Sequence, residues 1–180
     1  MLSPVLFNIY MAGLQTLQEG MGIEVVTYAD NITVLASHKD LQTAKSNITT
    51  NLNSLTEWIE NNHLLLNTEK TQVALLTPDP KQYSVNLELN AKGTTLGLEK
   101  HPRILGVTFD PKMTYSEHVR STACKAKKNI NILKAISGAD WVKDTETIVQ
   151  AYKALIRPVL EYGSSIWGPK TLESGWHKIK

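Results

Sequence analysis

Cysteine is almost absent from this chain: Cys124 stands alone among 180 residues. An internal disulfide is therefore impossible, and a Cys-rich zinc site cannot form. A lone thiol suits a reducing compartment. Cys124 falls on the apolar edge of a helical pattern, where a packed thiol is expected. No apolar run is long enough to cross a bilayer, so no membrane partner is expected. Residues 1–14 lack a basic leader and carry Pro4 and Asn8 inside the apolar stretch, which argues against a secretion signal. The expected location is intracellular. His38, His63, His101, His118 and His177 are scattered without the spacing of a metal site. Net charge is only +2, so attraction for a polyanion has to come from local clustering. There is no internal repeat and no low-complexity tract.

What is present is ordinary in bulk. With 42% hydrophobic and 20% charged residues, the composition is that of a globular protein. The length suits one domain, or two small ones, with a buried core. After Ser3-Pro4, the positions Leu6, Ile9, Tyr10, Gly13, Leu14 and Leu17 recur at helical spacing, and Gly20 and Gly22 are expected to end that helix. Residues 23–36 read as two β-branched strands joined by a tight acidic turn with Asp30 at its tip. Asp40 is placed to cap a helix over 41–62, with Ile48, Leu52, Leu55 and Ile59 as its buried stripe. Thr71 to Leu76 reads as a buried strand, and Tyr83 to Leu89 alternates as a half-buried one. Asn90-Ala91-Lys92-Gly93 is a turn before a short strand, Thr94 to Leu98. Arg103 to Phe109 is a further strand, in which Gly106 suggests a bulge or a close approach.

From Ser116 the character changes to helices. Val119, Ala123, Ala126, Ile130 and Leu133 form an apolar stripe ending near Gly138, and a last helix runs from Asp144 to about Leu160 with a kink at Pro158. Between His118 and Ala139 there is no acid, while Arg120, Lys125, Lys127, Lys128 and Lys134 are basic. Such a helix can track phosphates without reading bases, although a merely solvated face has the same composition. The four tryptophans, Trp58, Trp141, Trp167 and Trp176, are expected to pack in cores.

The order of the motifs points further. Tyr28-Ala29-Asp30-Asn31 resembles the Tyr/Phe-x-Asp-Asp box of reverse transcriptases, with Asn31 in place of the second acid. Leu2-Ser3-Pro4-x-x-Phe7-Asn8 before it resembles the tail of the Pro-Gln-Gly segment of non-LTR retrotransposon enzymes. Asn67-x-x-Lys70-Thr71 resembles the following motif. Ile104-Leu105-Gly106-Val107 with Asp110 resembles the hairpin that grips the primer end. Arg157-Pro158-Val159-Leu160-Glu161-Tyr162-Gly163, then Trp167-Gly168, resembles the thumb of the jockey-like branch. Each motif alone is weak. Five in order along the whole chain are specific.

That resemblance implies an α+β fold: a partial polymerase palm over 1–112, an antiparallel sheet with packed helices, then a helical thumb-like region over 113–180. It implies RNA-directed DNA synthesis, with an RNA template, a DNA primer and deoxynucleoside triphosphates as partners and Mg²⁺ as cofactor. Asp30 would be the metal ligand, and Asp30, Asn31 and Lys70 would form the catalytic set, with Lys70 near the triphosphate. Tyr28, Ala29, Leu105, Gly106, Arg120, Lys125 and Lys128 would contact nucleic acid. Against this, Asp-Asn is an ordinary turn pair, and Lys70 beside Glu69 is an ordinary surface pair.

Two cations held close together repel and need several converging carboxylates. Before Asp30 the only acids are Glu19 and Glu24, in local elements. The expectation is a fragment that begins at an internal methionine, lacks the family's upstream Asp, and cannot polymerise alone. The alternative is a noncatalytic nucleic-acid-binding module, or an inert retrotransposon relic. With the upstream strand gone, the edge of the 23–36 hairpin would be open, and self-association through it is expected.

Overall fold

A computed structural model describes residues 3–14, 22–85, 87–137 and 144–173. The chain divides into two compact units: Met1–Val73 with Asn86–Leu98, and Ala74–Val85 with Glu99–Lys180. The fold is mixed, as the sequence implies: helices and small antiparallel sheets.

The first unit begins with α1 (Ser3–Met11). Its buried stripe differs in part from the expected one. Leu14 is buried as expected and Met11 joins it, with Phe7 packed against them, while Leu6, Ile9 and Tyr10 are exposed. Several apolar residues crowd this helix, and only its contacts choose which face turns in. Leu17 and Gly20 lie outside the described residues. The hairpin β1 (Ile23–Tyr28) and β2 (Asn31–Ala36) follows as expected.

Next comes α2 (Leu41–Asn61). Asp40 caps it, its carboxylate accepting from Thr43 N and Thr43 Oγ1 at 2.8 Å each. Leu52, Leu55 and Ile59 are buried and Ile48 packs beside them, which is the expected stripe. Trp58 packs against the same core, close to Gly13. The hairpin β3 (Leu89–Ala91) and β4 (Thr94–Leu96) closes the unit around Lys92-Gly93.

Two strand expectations fail. Of Thr71–Leu76 only Val73 pairs, through a single parallel bridge to Leu98. The chain passes from one unit to the other directly after Val73, so no ladder extends. Pro80–Ser84 forms a 3₁₀ turn in place of the start of the Tyr83–Leu89 strand. Proline in its first turn suits a helix start, and Asp79 accepts from Lys81 N at 3.0 Å.

In the second unit Arg103–Phe109 is not one strand. It is a minimal hairpin, β5 (Arg103–Ile104) and β6 (Val107–Thr108), turning at Leu105-Gly106. Both turn residues have positive φ, +46° and +86°, the sign pattern of a type I′ turn. Then α3 (Ser116–Ser137) buries His118, Thr122 and Ala126, a stripe rotated from the expected one. Ala123 and Ile130 are exposed, and so is Cys124, contrary to the packed thiol expected.

The last expected helix is broken at Ile156 into α4 (Thr145–Leu155) and α5 (Arg157–Glu161), followed by α6 (Ser164–Glu173). Pro158 cannot supply the N–H that a continuous helix needs, so it opens a new helix. Trp167 is buried with Val107 and Tyr115, while Trp141 and Trp176 lie outside the described residues.

Burial sets the expected cost of truncation. Ile59→Ala, in the first core, is expected to destabilise by about 2–5 kcal/mol, and Ile130→Ala, at 37% exposure, by much less. Urea midpoints of the two variants check this; equal shifts would contradict the assigned face of α3.

Candidate functional site

Asp30 owes its position to strand register. Val25 faces Val34 and Tyr28 faces Asn31. Val25 is buried, and Ile32 and Val34 pack on the core. This leaves Ala29 and Asp30 as the two turn residues, exposed at the tip between Tyr28 and Asn31. Ala29 has φ +51°, a conformation that costs a residue with a Cβ about 1–2 kcal/mol. The Asn31 amide donates to Asp30 Oδ1 across a long 3.4 Å. The tip therefore presents one carboxylate and one amide to solvent.

Lys70 lies in the same unit, in the turn after α2. Its backbone N–H donates to Asn67 Oδ1 at 3.1 Å, and its side chain is exposed. An open depression lined by Leu65, Leu66, Asn67, Thr68 and Glu69 precedes it. The asparagine of the Asn67-x-x-Lys70 motif thus has a visible local function: it fixes the turn that carries the lysine.

Among the described residues the donor set does not fit a two-metal centre: no group of three or more His, Cys, Asp or Glu side chains gathers where it could hold a metal. Asp110, an obvious additional acid, is committed locally. It is buried and accepts from Lys112 N, Thr114 N, Thr114 Oγ1 and Tyr115 N. It shapes the turn into α3. The Tyr115 hydroxyl is held above its ordinary pKa, first by burial and then by Asp110.

In the second unit Leu105 and Gly106 form the tip of β5–β6. Arg120, Lys125 and Lys128 are all exposed on α3, but at about 100° per residue they spread over about 140° of its circumference. The better alignment is Arg120, Lys127 and Lys134. These lie within about 40° of one another, opposite the buried stripe, each about 10.5 Å further along the axis. Their seven-residue spacing was readable in the sequence. It was obscured by Lys125 and Lys128, which swell the cluster without joining the row.

Tyr162 was not singled out as a site residue, yet its hydroxyl donates to the Leu105 carbonyl at 2.6 Å. No local pattern signals a bond across 57 positions.

His118 ties β6 to α3. Its Nδ1 accepts from Thr108 N at 3.2 Å, so the neutral tautomer carries its proton on Nε2. The Trp167 ring meets it edge-on at 5.7 Å. Burial, then Lys125, then Arg103 hold the imidazole below its ordinary pKa of 6.5.

Residues 1–109 match the reverse transcriptase (RNA-dependent DNA polymerase) family. The chain belongs to that family, whose members generally use a divalent metal. Over 170 residues it is 25% identical to the "Retrovirus-related Pol polyprotein from type-1 retrotransposable element R1 2" of Nasonia vitripennis, covering 91% of this chain and 41% of that protein. Over 173 residues it is 23% identical to the RNA-directed DNA polymerase from mobile element jockey of Drosophila melanogaster, covering 93% and 18%. The probable RNA-directed DNA polymerase from transposon BS of the same fly is 24% identical, covering 93% and 19%. The resemblance to reverse transcriptases of non-LTR retrotransposons therefore holds over most of the chain. The chain spans between 18% and 50% of the length of these and related proteins. No solved structure matches it.

Protonating His118 removes the acceptor for Thr108 N. Because the folded pKa is depressed, the unfolded chain binds more protons below pH 6.5. The stability contributed by neutral His118 is thus present above that pH and lost as pH falls toward the folded pKa. Urea midpoints measured at pH 7.5 and 5.5 are expected to drop on acidification in the native chain, and to drop less in His118→Gln. Equal drops would reject the assignment.

Proposed function

We propose that this chain is a portion of a jockey-like non-LTR retrotransposon reverse transcriptase: a partial palm over 1–112 and a helical thumb-like region over 113–180. The parent reaction is nucleotidyl transfer from deoxynucleoside triphosphates to a DNA primer on an RNA template, with Mg²⁺ as the expected ion. The family match and the order of the motifs support that reading. Within it, Asp30 is the metal-ligating carboxylate and Asn31 the altered position. Lys70 lies toward the triphosphate. Tyr28 and Ala29, at the box, and Leu105 and Gly106, at the second hairpin, lie toward the nucleic acid.

The observation that carries the functional conclusion is the lone carboxylate. Among the described residues one acid stands at the hairpin tip, beside an amide that adds no negative charge. A single carboxylate offsets little of the repulsion between two divalent ions. On this reading the chain alone does not polymerise. Primer extension with Mg²⁺ or Mn²⁺ is expected to fail for the native chain and for Asn31→Asp, since the substitution restores only one of the acids required. Robust extension by the native chain would reject the proposal.

The row Arg120, Lys127, Lys134 favours a second reading, a noncatalytic nucleic-acid-binding module. Three phosphate contacts give log affinity a slope against log salt of about −2.7 on duplex. Lys127→Ala is expected to make it shallower by about 0.9, and Asp30→Ala to leave it unchanged. Cys124 is exposed on the same helix, so duplex should slow its alkylation. A salt slope near zero would count against this reading.

Among the described residues β1 and β2 form a two-stranded sheet, and Val26, Tyr28 and Leu35 are exposed. Self-association through this hairpin is part of the proposal. Light scattering is expected to show oligomers that dissociate when Val26 and Leu35 are changed to Lys; a monomer at high concentration would contradict it.

A further inference from the structure

We infer that Tyr162 is a positioning residue for the Leu105–Gly106 turn, which it locks so that the Gly106 N–H is presented to a phosphate of a bound primer strand. This rests on the reading of that hairpin as a nucleic-acid contact.

The hairpin is too small to hold its own shape. Each strand has two residues, with the pairs Arg103↔Thr108 and Ile104↔Val107. Isolated two-stranded hairpins are marginal in water even when longer. Its base is anchored, because Val107 is buried and Thr108 N donates to His118 Nδ1 at 3.2 Å. Nothing in the strand pairing holds the tip. In a two-residue turn the central peptide is outside the ladder, and its rotation is what separates one primed turn type from the other. Leu105, at the first central position, carries a Cβ that disfavours the type II′ alternative, and Gly106 suits the positive φ of the second.

Tyr162 holds the favoured orientation. It caps α5, and its hydroxyl donates to the Leu105 carbonyl at 2.6 Å. That carbonyl belongs to the central peptide. The peptide is trans and planar, so the Gly106 N–H must point the opposite way, away from the tyrosine. Backbone N–H groups so directed are ordinary phosphate ligands, which fix position without reading bases.

The contact is built on both sides. A Cβ at Gly106 would lie 3.1 Å from the Tyr162 ring, and one at Gly163 would lie 3.0 Å from Val107 Cγ2. Gly163 also has φ +64°, so glycine is favoured there on both counts. The Trp167 indole N–H donates to the Tyr162 carbonyl at 2.9 Å, which holds the tyrosine backbone from behind. The sequence Tyr162-Gly163 followed by Trp167 is thus a clamp for a turn 57 residues earlier. The hydroxyl bond is at the surface, where water competes, so its value is orientation rather than stability.

The test is fluorescence anisotropy of the 180-residue chain with two probes of equal length: a DNA primer on an RNA template with a recessed 3′ end, and a blunt DNA–RNA hybrid. The α3 row contacts both alike, whereas a turn that holds the primer end prefers the recessed probe. Tyr162→Phe keeps the ring and deletes only the hydroxyl. It is expected to cut the preference for the recessed probe about 3- to 10-fold, the scale of one hydrogen bond, with blunt binding unchanged. The Gly106 amide resonance in ¹⁵N spectra is expected to shift in the same variant, which checks the peptide plane without any nucleic acid. If the native chain prefers recessed ends and Tyr162→Phe keeps that preference, or weakens both probes equally, the clamp is refuted while the hairpin reading stands. If the native chain shows no preference, the hairpin reading fails and the inference falls with it.

Discussion

Val25 faces Val34 across the first hairpin, and that pairing decides where the chemistry can be. In a sheet a shift of one residue turns every side chain to the other face. Burial of Val25, with Ile32 and Val34 packed on the core, makes such a slip costly. The register then leaves two residues for the turn, so Asp30 is driven out to the rim. Its exposure follows from the register, and so does its isolation. A carboxylate at a two-residue tip has few neighbours of its own and depends on other elements to bring it partners.

The second unit solves a related problem differently. Its hairpin is held from outside at two heights: His118 accepts from Thr108 N near the base, and Tyr162 donates to Leu105 at the tip. Asp110 gathers the following turn by accepting from three backbone N–H groups and a hydroxyl. A charged group buried with that many donors is compensated. It also delivers the chain into α3 with Tyr115 buried behind it. Local hydrogen bonds thus shape a loop-rich region that strand pairing alone could not order. Pro158 contributes by ending one helix and opening another, which sets Tyr162 at the end of a short turn of helix.

Much of this was legible. The first hairpin, Asp40 as a cap, the stripe Ile48–Leu52–Leu55–Ile59 and the limits of α3 all follow from local rules: turn chemistry, capping and helical period. The failures share a cause. Leu6, Ile9 and Tyr10 on α1, and Ala123 and Ile130 on α3, are apolar but exposed. A helix with apolar residues on more than one face does not say which face is covered. Thr71–Leu76 and Tyr83–Leu89 have strand-like composition, yet a strand needs a partner with free hydrogen-bonding groups. The site shows the same division. Asp30 and its turn were readable, and the heptad row of Arg120, Lys127 and Lys134 was readable though overlooked. Tyr162 was not, since its partner is remote in sequence.

The sequence by itself determined the family, the acidic turn, the missing second carboxylate at Asn31 and the strip of helix without acids. Each is a matter of residue type and short spacing, and none depends on what lies across space. The tertiary structure alone decided which helix faces are buried, that Asp110 is occupied by its own turn, that Cys124 is exposed, and that Tyr162 reaches Leu105. Those outcomes turn on contacts between residues far apart in the chain, where burial and hydrogen-bond geometry have no local signature.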